Sequence, residues 1–205
     1  MASSPPPQNR GRPRDPATDE AVLAATRELL ASGGPDAVTY EAVARHAGVS
    51  RPTVYLRFPR KADLIFEAGL ALATPPPEFL GPGSPIVPDT GSLEGDLAVV
   101  ADVAAASFAG LDGAGILRPF FSALAGDAVL AARLWHEAVG PAQGLLLGVL
   151  ARWAERGEIA EDLATDEVLE VFPAIEIYRR VVLDRPLTGD ERARLVRVVA
   201  DGLRR

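Results

Sequence analysis

The chain has 205 residues, of which 48% are hydrophobic and 24% charged, a composition typical of a folded globular protein and unlike that of a disordered one. It contains no cysteine, which excludes disulfides, thiolate metal sites and cysteine nucleophiles. The net charge of -7 is unevenly spread, because the part up to Ala62 has nine Lys plus Arg against six Asp plus Glu, whereas the remainder has 12 against 22. Only the N-terminal part is therefore suited to polyanions.

The first residues, 1–14, are rich in Ser, Pro and Arg and contain no apolar run, and no later stretch has the length of a membrane span. We therefore expect a cytoplasmic protein that is neither exported nor membrane-embedded. Arg10, Arg12 and Arg14 belong to an Arg-Gly-Arg-Pro-Arg run. This run resembles the core of an AT-hook, a motif whose arginines lie along a narrow minor groove of DNA. A disordered solubilising tail explains the same residues equally well.

Apolar spacing predicts a helix over residues 18–31, followed by two short helices. Thr39 caps the first short helix, which stops at Gly48, and Ser50 caps the second, which closes at Phe58. Such a run of helix, turn and helix is the frame in which DNA-contacting residues are often presented.

The two short helices carry a helix-turn-helix pattern in which Ala44, Gly48 and Val54 have separate tasks. Ala44 allows two helices to cross closely, Gly48 adopts the positive φ of the turn, and Val54 anchors the second helix from beneath. An ordinary corner of two helices uses the same residues without touching DNA, so the exposed residues must decide between the two readings.

With the core positions removed, the second short helix retains donors and apolar groups suited to a major groove, and no acidic residue. These candidate DNA-contacting residues, with the capping serine before them, are Ser50, Arg51, Pro52, Thr53, Tyr55 and Arg57. Thr39 and Tyr40 on one side, and Lys61 on the other, are suited to hold phosphates.

Residues 48–68, GVSRPTVYLRFPRKADLIFEA, resemble the signature of TetR-type regulators. The segments WAERGEI and YRRVVLDRPLTGDERARLVRVVADGLRR resemble the C-terminal region of many such regulators more loosely. The resemblance implies that the positions of Thr39, Tyr40, Tyr55 and Lys61 contact phosphates. By the same resemblance, those of Arg51, Pro52, Thr53 and Arg57 lie near bases, whereas Glu41 departs from the basic or polar residue sometimes found there.

A fourth helix should begin near Lys61, and a Pro- and Gly-rich stretch over residues 74–92 should form a loop. Five further helices are predicted over residues 93–108, 116–124, 128–156, 166–183 and 190–203. Kinks or breaks are expected at Pro119, Pro141 and Pro173.

The predicted fold is therefore all-α with about nine helices. It divides into a basic arm over residues 1–14, a three-helix helix-turn-helix DNA-binding domain over 15–62 and a helical ligand-binding and dimerisation domain over 63–205.

The middle helices carry large aromatic residues, and a few polar ones, that could orient a ligand in an apolar pocket. These candidates are Phe108, Arg118, Phe120, Phe121, Trp135, His136 and Trp153. Aromatic residues at helical spacing more often fill a core, and the two polar residues more often lie exposed or paired.

The last two helices carry apolar stripes that correspond, by the resemblance, to a four-helix dimer interface. The stripes comprise Val168, Val171, Phe172, Ile175, Leu195, Val198, Val199 and Leu203. Packing within one subunit is the alternative.

Taken together, the residues and the resemblance favour a ligand-responsive regulator that binds a palindromic DNA operator as a homodimer and is released by a small molecule. Repression is the commoner outcome in such a family, and activation stays open. An enzyme is the rival class, but two histidines and no cysteine leave few catalytic or metal-ligating groups, and no cofactor or metal is expected. A helical scaffold that binds another protein through its acidic half is the third reading.

Overall fold

The computed structural model describes residues 15–73, 87–113, 115–160, 163 and 166–204. Within this part, the helices follow in the order α1 (Pro16–Ala37), α2 (Tyr40–His46), α3 (Arg51–Arg57), α4 (Lys61–Ala73), α5 (Leu93–Gly113), α6 (Leu117–Leu124), α7 (Ala128–Leu134), α8 (Gly140–Glu155), α9 (Asp166–Ile177) and α10 (Gly189–Leu203). Single π-helical turns, Trp135–Val139 and Tyr178–Val182, join α7 to α8 and extend α9. The described residues thus form nine continuous helical stretches and no strand, which confirms the all-α prediction.

The N-terminal helices begin where the sequence places capping side chains. Asp15 accepts a hydrogen bond from the backbone N–H of Ala17 at the start of α1, and Thr39 accepts one from Ala42 at the start of α2. The regular part of α1 ends at the glycine pair, as predicted, because Gly34 has a φ of +66° and is not helical. A short helical turn then continues the chain to Ala37 beyond this kink.

Proline affects the later helices in two ways. Pro119 lies in the first turn of α6, where a missing N–H breaks no helical hydrogen bond, so the helix continues to Leu124 and the expected kink is absent. Pro141 instead follows the first π turn, in which the Gly140 N–H bonds to the Trp135 carbonyl. The wider turn accommodates a proline, which cannot donate the usual bond. The predicted helix over 128–156 therefore stays continuous but changes its hydrogen-bond pattern between α7 and α8.

The buried side chains form two apolar clusters. The first joins α1 to α4 with α6 and α7, and its largest fully buried members include Phe66 and Phe120. The second joins α5, α8, α9 and α10 and contains Trp153 and Phe172. Helix α4 packs against α1 on one side and α5 and α6 on the other, so it is the mechanical link between the N-terminal helices and the rest of the described structure.

No helix among the residues described is both long enough and apolar enough to cross a membrane.

Candidate nucleic-acid interface and internal cavity

The turn between α2 and α3 has the geometry that the sequence pattern predicts. Gly48 has a φ of +66°, and the Val49 N–H donates to the Ala44 carbonyl at 3.0 Å, which closes the end of α2. Val54 is fully buried beneath α3. One face of α3 is thereby held against the core while the other points to solvent.

The solvent-facing side of α3 presents most of the residues expected to contact DNA. Arg51 and Pro52 are exposed, and Tyr55 is 56% exposed. Ser50 and Thr53 are partly committed to the helix start, since their hydroxyls lie 2.8 Å apart and the Ser50 hydroxyl also accepts from the Thr53 N–H. Arg51, Pro52 and Tyr55 are consequently the residues of this face best placed to meet another molecule.

The same face contains a residue that the sequence reasoning missed. Leu56 is 75% exposed, the largest value among the exposed large hydrophobic residues of the described chain. It stands two positions after the buried Val54, and successive helical residues turn by about 100°, so helical periodicity alone places it opposite the core. An exposed leucine on a reading helix is suited to contact the methyl group of thymine.

Three of the residues predicted to hold phosphates, Thr39, Tyr40 and Lys61, line a shallow depression between α2, α3 and α4. Arg51, which was expected near bases, lines it too, and Glu41 adds a carboxylate to the same surface. The Lys61 ammonium group already donates to the Pro35 carbonyl at the end of α1. The depression therefore brings together positions that are well separated in the sequence.

Tyr40 is held in place from two sides. Its hydroxyl donates to the Pro59 carbonyl at 2.8 Å, and its ring meets that of Tyr55 edge to face with centroids 5.7 Å apart. Burial, together with the neighbouring Tyr55 and Asp63, raises the pKa of the Tyr40 hydroxyl above its ordinary value. The Tyr40 hydroxyl therefore keeps its proton, and with it the bond to Pro59, to a higher pH than an ordinary tyrosine would.

Arg57 requires a correction, because the sequence placed it near bases. Its side chain is only 15% exposed and forms an ion pair with Asp19 of α1. It also reaches the Asp15 carbonyl at 3.5 Å. Arg57 thus points back towards α1 and ties α3 to it, and the guanidinium is not displayed on the face that carries Arg51. No local pattern indicates this partner, which lies 38 residues away along the chain.

Arg10, Arg12 and Arg14 lie outside the described residues.

A partly open cavity of about 120 Å³ lies where the two apolar clusters meet. Residues from α4 to α9 contribute to its wall, among them Phe108, Phe120 and Phe121 from the predicted ligand-binding set. The three phenylalanines pack on one another in sequence, with centroids 6.5 Å apart for Phe108 and Phe121 and 5.6 Å apart for Phe120 and Phe121.

The other predicted ligand-binding residues lie elsewhere. Trp135 is 46% exposed, His136 is also exposed, and Arg118 forms a solvent-exposed ion pair with Asp184 at 3.1 Å. None of the three lines the cavity. Arg118 and His136 therefore correspond to their alternative reading, as paired or exposed residues, whereas Trp135 neither lines the cavity nor fills the core.

Trp153 is buried, but in the second cluster and not at the cavity. Its indole N–H donates to the carboxylate of Asp96 at 2.7 Å, and Arg152 donates to the same oxygen at 2.7 Å. Burial opposes ionisation of Asp96, but hydrogen bonds from the Thr90 backbone, Trp153 and the Thr90 hydroxyl, with the Arg152 charge, lower its pKa. Trp153 is thus a structural core residue that anchors this buried carboxylate.

Two family models match the chain in succession. The model described as "Bacterial regulatory proteins, tetR family" matches residues 22–68, which include the helix-turn-helix. The model described as "Tetracyclin repressor-like, C-terminal domain" matches residues 87–199, more than half of the chain. The chain belongs to the TetR family.

Similar proteins agree with this TetR-family membership. An HTH-type transcriptional regulator of Mycobacterium tuberculosis, Rv1556, is 30% identical over 186 residues, which cover 87% of this chain and 86% of the relative. The HTH-type transcriptional regulator YdeS of Bacillus subtilis is 31% identical over 182 residues, which cover 89% of this chain and 85% of the relative. The resemblance inferred from residues 48–68 is confirmed, and the protein is a TetR-family regulator of transcription.

Solved structures share the fold of this TetR-family chain. A TetR transcriptional regulator from Agrobacterium tumefaciens superposes with a TM-score of 0.63 at 20% identity, covering 92% of this chain and 94% of that one. The regulator FadR from Bacillus subtilis, in complex with stearoyl-CoA, superposes with a TM-score of 0.61 at 19% identity, covering 89% of this chain and 95% of that one.

The predicted dimer residues on the last helices of this TetR-family protein fall into two groups by their exposure. Phe172 and Leu203 are 2% and 4% exposed and belong to the second core cluster, so their side chains are not available to a partner. Val198 is 70% exposed, and the remaining predicted residues, Val168, Val171, Ile175, Leu195 and Val199, are half-buried. Packing within the subunit is therefore the correct reading for Phe172 and Leu203.

Three exposed apolar residues near the end of α9 were missing from the predicted interface. Tyr178 is 53% exposed, Val182 61% and Leu183 43%. Ile175, Tyr178 and Val182 continue the stripe that begins at Val171, with the three- and four-residue spacing of one helical face. Following the 3.6-residue period beyond Ile175 would have found Tyr178 and Val182.

Proposed function

We propose that this TetR-family regulator is a repressor that binds a palindromic operator as a homodimer. A small molecule that enters the cavity releases it from the operator. The observation that carries the proposal is the solvent-facing side of α3, where Arg51, Tyr55 and Leu56 stand exposed above a fully buried Val54. A rigid helix with a donor, an aromatic hydroxyl and an apolar tip on one side is suited to the major groove.

The apolar surface of α9 and α10 supports a twofold dimer. Tyr178, Val182 and Val198 expose more than half of their surface in a single subunit, and a second copy is the partner that would cover them in a symmetric contact. A dimer would present two α3 helices to half-sites about 34–36 Å apart, one turn of the DNA helix. Binding two half-sites together explains why a short reading helix suffices.

A route from the cavity to the reading helix runs through α4. Phe120 lines the cavity and stacks on Phe66 of α4, and α4 follows α3 after a short turn. A ligand that displaces Phe120 would act directly on α4, and through it on the position of α3.

A second connection runs through ion pairs on α7. Arg60 at the start of α4 pairs with Asp127 at 2.6 Å, and Arg133 pairs with Glu67 at 2.5 Å. Leu134 at the end of the same helix lines the cavity. Movement of the cavity wall at Leu134 would therefore also shift α4, because the two ion pairs connect α7 to Arg60 and to Glu67.

The proposed release has a thermodynamic requirement. A ligand shifts an equilibrium only by its difference in affinity for the two states, so the ligand must favour the DNA-free arrangement by about 1–3 kcal/mol to weaken operator binding usefully. FadR, which shares this fold, was solved in complex with stearoyl-CoA, and this supports the proposal that the present chain also binds a ligand.

The deciding experiment is selection of bound duplexes from genomic DNA by the purified protein, followed by a salt titration on the enriched sequence. We expect enrichment of a palindrome. The logarithm of the binding constant should fall with the logarithm of the salt concentration, with a slope of about -0.9 for each phosphate contact. Arg51→Ala should relax the selected sequence, whereas Arg118→Ala, which removes an exposed arginine of α6, should not. Failure to enrich any duplex, or enrichment without inverted symmetry, would overturn the proposal.

A further inference from the structure

The cavity wall carries almost no polarity. Among the residues described, Ser107 and Gln143 are its only polar side chains, and no Lys, Arg, His, Asp or Glu side chain lines it. The Ser107 hydroxyl already donates to the Val103 carbonyl at 2.9 Å. Gln143 is half-buried, and its amide makes no hydrogen bond to the described residues. One unused amide therefore faces an otherwise apolar space.

A ligand that entered the cavity with an anionic group would lose its hydration without gaining an ion pair. A cationic ligand would meet no carboxylate on the described wall and would suffer the same loss.

The size of the cavity limits the ligand further. A cavity of about 150 Å³ lined by Leu, Ile and Phe is known to bind benzene, and the cavity here is about 120 Å³. It therefore holds a molecule of about one aromatic ring, and a longer ligand would displace wall side chains such as Phe108 or extend through the open side of the cavity.

We propose that the cavity takes an uncharged, largely apolar molecule of about one ring, whose polar group bonds to the amide of Gln143. This inference rests on the proposed function, since it names the class of ligand that would release the operator. Gln143 selects for a neutral donor or acceptor, and the apolar wall selects against charge.

The test uses three probes with one carbon skeleton, namely toluene, benzyl alcohol and benzoate, titrated at pH 7 into the full-length protein by calorimetry. Wild type should bind benzyl alcohol roughly tenfold or more tightly than benzoate, because only benzoate is charged. Gln143→Leu should bind toluene as wild type does. Wild type should bind benzyl alcohol more tightly than toluene, and Gln143→Leu should not. Gln143→Arg should reverse the preference and strengthen benzoate binding roughly tenfold.

Control variants keep the outcome interpretable. Ala104→Phe, which fills the cavity from α5, should abolish binding of all probes, whereas Val129→Leu, an exposed change on α7, should alter none. Helical circular dichroism shows that each variant is folded. Equal binding of benzoate and benzyl alcohol by wild type, or binding that ignores both Gln143 variants and Ala104→Phe, would overturn the inference.

Operator release separates this inference from the proposed function. If benzyl alcohol binds with the expected dependence on Gln143 but leaves operator affinity unchanged, the ligand class stands and ligand-induced release fails. If an anionic molecule releases the operator from wild type but not from Ala104→Phe, release stands and the inference on charge fails.

Discussion

Phe66 of α4 and Phe120 of α6 lie with their rings nearly parallel, 11° apart in orientation and with centroids separated by 5.5 Å. Both are almost fully buried, and Phe120 also forms part of the cavity wall. Arg133 adds its guanidinium to the Phe66 ring at 5.0 Å from the centroid. The pair thus couples the cavity wall to α4, the helix that follows α3, and adds to the contact that Ala73 of α4 makes by lining the cavity itself.

Gly69 leaves Phe120 the room that this contact needs. A Cβ at residue 69 would stand 2.3 Å from Cδ2 of Phe120, which is closer than atoms can approach. Glycine to alanine in a helix normally stabilises by about 1 kcal/mol, but overpacking a core costs about 1–3 kcal/mol. We expect Gly69→Ala to lower the free energy of unfolding, measured by urea denaturation. Gly189→Ala, where nothing lies within 4 Å, is the matched control and should be neutral or slightly stabilising. Equal effects of the two changes would contradict the packing argument.

Replacement of Arg57 by alanine should lower stability, whereas replacement of Arg51 should change the recognition of DNA. Arg57→Ala removes a mostly buried ion pair and should lower stability by about 1 kcal/mol. Arg51→Ala alters an exposed residue and should change stability by less than about 0.5 kcal/mol, while relaxing the selected DNA sequence. Denaturation and duplex selection on the same samples provide the two measurements. A change of sequence preference in Arg57→Ala at unaltered stability would restore Arg57 as a base-contacting residue.

Leu56 should contribute to recognition without contributing to stability. Its 75% exposure predicts a stability change within about 0.5 kcal/mol for Leu56→Ala. If the side chain covers a thymine methyl group, wild type should lose about 0.8 kcal/mol of binding when that thymine is replaced by uracil. Leu56→Ala should show no such loss. Fluorescence anisotropy on duplexes substituted one thymine at a time checks this, and equal sensitivity of both proteins at every position would refute it.

The exposed valines provide a test of the dimer. Val198 of α10 and Val129 of α7 are 70% and 65% exposed, so a glutamate at either position costs little within a single subunit. Val198→Glu should dissociate the dimer because it would bury unpaired charges at a twofold contact, whereas Val129→Glu should not. Sedimentation velocity distinguishes the outcomes. Dissociation by Val129→Glu alone would locate the interface away from α10.

Glu191 makes the start of α10 sensitive to acid. Hydrogen bonding to the Thr188 backbone, then to Arg179 and Arg185, lowers its pKa from 4.5 to about 2. A carboxylate whose pKa is lower in the folded chain stabilises it above the unfolded pKa and loses that contribution as pH falls through the folded one. The stability advantage of wild type over Glu191→Gln should therefore be full at pH 6, begin to shrink near pH 4.5 and be largely gone near pH 2. Urea midpoints of both proteins across this range test the effect, and an advantage independent of pH would contradict it.

The order of helices and the reading motif were predictable because they depend on local chemistry. Thr39 and Ser50 cap their helices as expected, and Gly48 adopts the positive φ that its place in the turn requires. Each of these features involves residues only a few positions apart, so the sequence determines it directly. The same locality explains why the family resemblance could be recognised from residues 48–68.

Long-range packing decided what the sequence left open. An apolar stripe does not say whether it faces its own core or a partner, and only the fold buries Phe172 while exposing Val198. Nor does a charged residue name its counterion, and only the approach of α1 to α3 turns Arg57 from the reading face to Asp19. The polarity of the cavity likewise depends on residues of six helices, α4 to α9, meeting at one place. Periodicity thus determined the helices by itself, whereas the choice of side-chain partners required the tertiary structure, because those partners are brought together only when distant helices pack.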